Sequence, residues 1–366
     1  MKWSFRIARI AGIDVNIHMT FLLLLAFMAV SYWLEGRGFG VVLEGILFLL
    51  VLFLCVLLHE FGHALMARRF GIQTRDIILL PIGGVARLER MPEKPLQELW
   101  VALAGPAVNL VIAVVIFAAL LLTQTFQPFN LLSLTGGSFA ERILAVNLSL
   151  LLFNLVPAFP MDGGRAVRAL LAMRMEYTRA THIAALLGQG LALVFGFFGL
   201  FGNPSLLFIA FFVWIGAGQE SSMVQVKSAL SGIPVTRAML TEFHTLSPTD
   251  PLSRAVELVL SSSQHDFPVA VDGRVVGILT REGLIAALSE NKESIFVSYV
   301  MEKEFAVIDS SQMLDDVSKH IQTGEQKIVP VVHNGTLVGL FTLENVGEFL
   351  MIQNAVRARA QIQPHL

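Results

Sequence analysis

Runs of about twenty apolar residues, the length that crosses about 30 Å of hydrocarbon, crowd positions 1–218 of this 366-residue chain, and the rest reads as ordinary globular sequence. With 55% hydrophobic and 15% charged residues the chain is too apolar to be soluble throughout. The fold class that follows is an α-helical polytopic membrane domain of about six transmembrane segments, followed by a cytoplasmic α/β part. A net charge of −2 without a basic stripe leaves no reason to expect a nucleic-acid partner. Cys55 is the single cysteine, so an intrachain disulfide and a cysteine zinc site are both excluded.

The apolar runs place six spans at 17–34, 41–67, 98–122, 140–158, 183–201 and 204–218. Cations set their direction. Lys2, Arg6 and Arg9 precede the first span, Arg68, Arg69 and Arg75 follow the second, and Arg165, Arg168, Arg174 and Arg179 lie between the fourth and fifth. Loops 35–40, 123–138 and 202–204 carry few. By the positive-inside bias the chain is a multi-pass protein of the cell membrane with both termini cytoplasmic. The start lacks a secretory cleavage pattern, so the first run is read as a retained span.

Inside the second span stands His59-Glu60-Phe61-Gly62-His63. Ionisable groups at membrane depth are costly and persist mainly for function. On a helix, residues i and i+4 share a face, so both imidazoles can point at one Zn²⁺. Glu60 lies about 100° round the helix, where it can reach the water that zinc activates and take its proton as general base. His59 is nine residues before Arg68, roughly 13 Å inside the cytoplasmic end of the helix. The alternative is a His and Glu hydrogen-bonded between helices.

A protein-held zinc needs a third ligand. The fourth span also runs toward the cytoplasm and ends in Asn154-Leu155-Val156-Pro157-Ala158-Phe159-Pro160-Met161-Asp162-Gly163-Gly164-Arg165. The prolines break the helix and the glycines allow a tight turn, so Asp162 can stand at the depth of His63. Alone, Asp-Gly-Gly reads as well as a plain turn.

Together these segments resemble the site-2 protease family of intramembrane zinc metalloproteases. Further likeness lies in Gly105-Pro106-Ala107-Val108-Asn109 and in Pro81-Ile82-Gly83-Gly84-Val85, so that it covers most of residues 10–218. The resemblance implies that His59, His63 and Asp162 ligate one zinc, that Glu60 is catalytic, and that Asn154 binds the substrate backbone or the developing oxyanion. Asn109 reads equally as a helix-packing residue. Gly83 and Gly84 belong either to a reentrant hairpin that offers an edge to an extended substrate or to a loop turn. His18 and His182 stay outside the zinc set. The implied activity is an endopeptidase that cuts within or next to transmembrane segments, as in regulated intramembrane proteolysis. Its partners would be the bilayer and a membrane-spanning or membrane-tethered protein, such as an anti-sigma or pro-sigma factor.

Beyond a linker at 219–234 the sequence repeats every 62 residues: Ala238-Met239 returns as Val300-Met301, and the stretch from Pro268-Val269 to Thr280 returns from Pro330-Val331 to Thr342. Each unit reads as helix, strand, Asp-Gly or Asn-Gly hairpin turn, strand and helix. The units at 235–291 and 297–352, before a tail at 353–366, resemble a tandem pair of cystathionine-β-synthase (CBS) domains. That resemblance implies an adenine-nucleotide cofactor in the clefts; the alternative is a structural role in which the pair forms a homodimer or docks substrate. Where the family commonly has a ribose-binding Asp, this chain has Gly283 and Asn345. Two further readings are a CBS-regulated transporter or channel, disfavoured because residues 1–218 show no internal repeat, and a silent membrane scaffold, disfavoured by the intact His59, Glu60, His63 and Asp162.

Overall fold

The protein is described by a computed structural model over residues 3–36, 38–92, 94–124, 137–290, 294–315, 317 and 328–362. Lys2, most of the 123–138 loop and the end of the tail lie outside the described residues. The chain divides into two compact units, Met1–Val224 and Gln225–Leu366.

The first unit opens with strands β1 (Ser4–Ile10) and β2 (Ile13–His18), joined through Ala11 and Gly12. Both turn residues have positive φ, 52° and 83°, the two-residue hairpin geometry that matches strand twist. Helices α1 (Met19–Leu34) and α2 (Phe39–Arg69) follow, then strands β3 (Thr74–Leu80) and β4 (Gly83–Leu88). The strands form one sheet in the order β1-β2-β3-β4, with β2 parallel to β3 and the outer pairs antiparallel. Ile13, Val15, Ile77 and Leu79 of the sheet pack with Phe53, Leu57, Phe61 and Ala64 of α2, which presses the sheet onto the C-terminal half of that helix. Of the two alternatives that the sequence leaves for Gly83 and Gly84, the structure has the hairpin, while β1 and β2 are not expected from the sequence.

Helices α3 (Pro95–Leu122), α4 (Phe139–Asn154), α5 (Asp162–Ala172), α6 (Tyr177–Phe201) and α7 (Ser205–Leu230) complete the unit. Of the expected spans, α2, α3, α6 and α7 are long and apolar enough to cross a bilayer. The helices at the first and fourth expected spans, α1 and α4, have 16 residues each, about 24 Å at 1.5 Å per residue. Helix α4 stops at Asn154, four residues before the expected end, because Pro157 lacks the N–H that would extend the hydrogen-bond ladder. The expected turn at Gly163-Gly164 is instead the first turn of α5. Phe197, Phe198, Phe201, Phe208 and Phe211 are exposed, as befits side chains that meet lipid.

In the second unit the repeat is visible in three dimensions. Strands β5 (Phe267–Val271) and β6 (Arg274–Leu279) turn through Asp272-Gly273, and β8 (Ile328–His333) and β9 (Thr336–Thr342) turn through Asn334-Gly335, all four turn residues with positive φ. Helices α8 (Leu252–Ser261) and α9 (Arg281–Ser289) flank the first hairpin; β7 (Ile308–Asp309) precedes the second and α10 (Leu343–Ile362) follows it. The positions that correspond to α8 by the 62-residue period, 314–323, lie largely outside the described residues. Leu240 bridges Leu340 while Glu302 bridges Ile278, and a Cβ at Gly339 or Gly277 would lie 2.6 Å from the sulfur of Met239 or Met301 respectively. Each lead-in segment thus pairs with the other repeat's hairpin, a reciprocity that only a pseudo-twofold arrangement satisfies.

Candidate functional site

His59 and His63 stand one turn apart on α2 and Asp162 opens α5; the three side chains meet in the interior, each 6% exposed. The His63 and His59 Nε2 atoms are 3.0 Å apart, and Asp162 Oδ2 is 3.0 Å from the first and 3.2 Å from the second.

Which nitrogen of each ring is protonated follows from its neighbours. His63 Nδ1 lies 2.7 Å from the carbonyl oxygen of Val101 on α3, which can only accept, so Nδ1–H donates. For His59 the argument runs through three helices. Asn147 on α4 donates to the Ile143 carbonyl at 2.9 Å, which leaves its Oδ1 to accept from Asn109 on α3 at 3.0 Å. Asn109 therefore presents its own Oδ1 to His59 Nδ1, 2.5 Å away, and that nitrogen also donates. Both Nε2 atoms then carry lone pairs, facing each other and a carboxylate oxygen across about 3 Å. Three converging acceptors repel unless a cation lies among them. Edges of 3.0–3.2 Å approach the roughly 3.3 Å edge of a tetrahedron with 2.0–2.1 Å bonds, and two imidazoles with a carboxylate are a known zinc donor set. The residues fit the metal.

Gly105 on α3 makes room for this arrangement. A Cβ there would lie 2.2 Å from His63 Nε2 and 2.7 Å from His59 Nε2. Gly163 does the same for the loop before α5, where a Cβ would come within 2.3 Å of the Val156 carbonyl oxygen.

Glu60, next to His59 but turned toward the sheet, accepts a hydrogen bond at 3.2 Å from the backbone N–H of Ala86 on β4. It lines a cavity of about 410 Å³ together with His59, His63, Asp162, Asn154 and the 82–86 segment. The hairpin residues Gly83 and Gly84 thus form the start of an edge strand beside the site. Asn154, the last residue of α4, lines the same cavity and donates one amide hydrogen to the Leu150 carbonyl at 3.0 Å, leaving the second.

All five candidate residues border this one space, and among the described residues His59, His63 and Asp162 are the group able to hold a metal. His18 caps α1 and His182 is exposed on α6. The sequence reading passed over Asn147, the Val101 carbonyl and the Ala86 N–H. Asn147 carried a usable signal, since a buried amide within an apolar helix requires partners; the backbone groups carried none.

The chain is similar in sequence to known proteins. The sequence profile of peptidase family M50 matches residues 47–143 and 137–196, and that of the CBS domain matches residues 232–290 and 297–351. A zinc metalloprotease of Methanocaldococcus jannaschii is 32% identical over 347 residues, covering 94% of this chain and 96% of its own. Stage IV sporulation protein FB of Bacillus subtilis is 32% identical over 157 residues, 43% of this chain and 51% of that protein. Among solved structures, the site-2 protease from Methanocaldococcus jannaschii is 37% identical and aligns over 60% of this chain and 95% of its own, with a TM-score of 0.44. The chain belongs to the site-2 protease family of zinc metalloproteases, peptidase family M50, and carries a tandem CBS pair after its membrane helices.

Proposed function

We propose that this protein is an intramembrane endopeptidase in which His59, His63 and Asp162 hold the zinc and Glu60 is the general base. The observation that carries the reading is the convergence of these four residues on a cavity bordered by the start of an edge strand. Zinc bound there supplies Lewis acidity to the scissile carbonyl and to water. Glu60 takes the proton from the attacking water and passes it to the leaving amine. The hydrogen bond from Ala86 keeps its carboxylate turned toward the cavity. Asn154 donates its free amide hydrogen to the substrate backbone or the developing oxyanion. Residues 82–86 take up the substrate as an added strand, which requires it to be extended. A membrane helix must therefore unwind locally before it is cut.

The membrane lies around the apolar helices of the first unit, and the cation bias puts both termini in the cytoplasm of a cell membrane. The substrate is a membrane-spanning or membrane-tethered protein, with an anti-sigma or pro-sigma factor as the model case. The CBS pair serves as a regulatory or dimerising module with adenine nucleotide as its ligand. Gly283 has no side chain, and the Asn345 Oδ1 accepts from the Thr342 hydroxyl at 2.5 Å, so at these two positions only the Asn345 amide N–H groups remain to meet a ribose.

The test is cleavage of a membrane-spanning substrate by the full-length protein reconstituted in vesicles. Glu60→Gln is expected to lose about 10²-fold or more in rate while keeping its zinc. Cleavage at the wild-type rate in that variant would remove Glu60 from the mechanism.

A further inference from the structure

Arg168, on α5, is 1% exposed in a chain whose other cations mostly reach the surface. Its Nε and Nη2 donate to Glu98 Oε1 on α3 at 2.8 and 2.5 Å, and its Nη1 donates to Glu220 Oε1 on α7 at 2.5 Å. The guanidinium carbon lies 5.0 Å from the ring centres of both Phe159 and Tyr177, and the Tyr177 hydroxyl donates to the same Glu98 oxygen at 3.3 Å. Neither catalysis nor the cavity uses this cluster. A buried guanidinium is costly, and this one is matched by charge, hydrogen bonds and two aromatic faces.

Its place in the fold gives it a role. Asp162 begins the helix that bears Arg168, and Phe159, on which the guanidinium stacks, lies three residues before Asp162. Glu98 lies one turn before Val101 on α3, and the Val101 carbonyl holds His63. The contacts therefore close a ring: Asp162 along α5 to Arg168, across to Glu98, along α3 to Val101, across to His63, and back to Asp162 at 3.0 Å.

We infer that Arg168 and Glu98 are positioning residues that fix the distance between Asp162 and His63, and so set the affinity of the metal site. The inference rests on the proposed zinc ligands. Arg168 acts on α5 and on the preceding loop at once, so a looser contact there displaces the carboxylate from the imidazoles. Lysine is a poor substitute, since one ammonium cannot fork onto an oxygen, bridge two carboxylates and stack on two rings. Glu220 also binds Arg168 but lies off the ring, so its contribution to metal affinity is smaller.

The experiment measures Zn²⁺ affinity of the full-length, detergent-purified protein by chelator competition, alongside helical content and thermal unfolding of the metal-free form. The variants are Arg168→Lys, Glu98→Gln, Glu220→Gln and Asp162→Asn. The expected result is a loss of affinity of about tenfold or more in Arg168→Lys and Glu98→Gln with helical content intact, and a smaller loss in Glu220→Gln. If Arg168→Lys does not fold, the isosteric Glu98→Gln decides. Wild-type affinity in Glu98→Gln and in any folded Arg168→Lys, with only the unfolding temperature lowered, would overturn the inference and leave the cluster a structural one. A wild type without zinc, or Asp162→Asn with undiminished affinity, would instead overturn the metal-site reading on which it rests.

Discussion

The carbonyl oxygen of Ile143 decides which nitrogen of His59 is free, because it orients Asn147, which orients Asn109, whose Oδ1 accepts the hydrogen bond from Nδ1–H. Asn109→Ala breaks this relay, and zinc affinity should fall about 10- to 100-fold, as read by chelator competition. Gly105→Ala should be more severe, since its methyl would lie 2.2 Å from the His63 Nε2 that is proposed to hold the metal; the check is zinc content after purification. His59, Glu60 and His63 could be read in the sequence because four-residue spacing on an apolar helix has few other uses. Asp162 needed the helix-breaking prolines to be noticed. Asn109 stays ambiguous in the sequence, because an amide in an apolar helix looks the same whether it packs helices or orients a neighbouring imidazole. In sequence Arg168 looks like any loop cation, since nothing local distinguishes an arginine that meets water from one that two other helices enclose.

Among the secondary-structure elements, the long helices were legible because a run of twenty apolar residues admits few other readings. The four-stranded sheet was not. Its strands are six or seven residues long, and β2 pairs in parallel with β3 across the whole of α2, a contact between segments some sixty residues apart. Yet the sheet positions Glu60 through Ala86, and one ion pair ties its last two strands. Asp76 and Arg87 face each other across β3 and β4, and the hydrogen bonds from Arg87 hold the Asp76 carboxyl below the usual carboxylate range against the opposing effect of burial. A depressed folded-state pKa stabilises the fold above the unfolded value of about 3.9, and that contribution disappears as pH falls through the lower folded value. Thermal unfolding should accordingly show acid destabilisation in the wild type, and Asp76→Asn should be less stable at neutral pH with a flatter acid limb. Parallel acid limbs in the two proteins would contradict this.

For the chain taken entire, the division into an apolar helical unit and a repeated α/β unit could be read from composition and a 62-residue period, and the reciprocal pairing of the two repeats gives that period its physical basis. Substrate choice belongs at this level as well. If the edge of β4 receives an extended chain, a span carrying Gly, Pro or Asn near the scissile bond should be cut readily, whereas a poly-Leu span of equal length should resist; equal rates in vesicles would sink the unwinding requirement. All of this presupposes that residues about a hundred positions apart in sequence form one metal site. Elemental analysis of the purified full-length protein, wild type beside Asp162→Asn, tests that without a substrate. The expected result is about one zinc per chain in the wild type and clearly less in the variant, and zinc that is absent from the wild type, or equal in both, would contradict it.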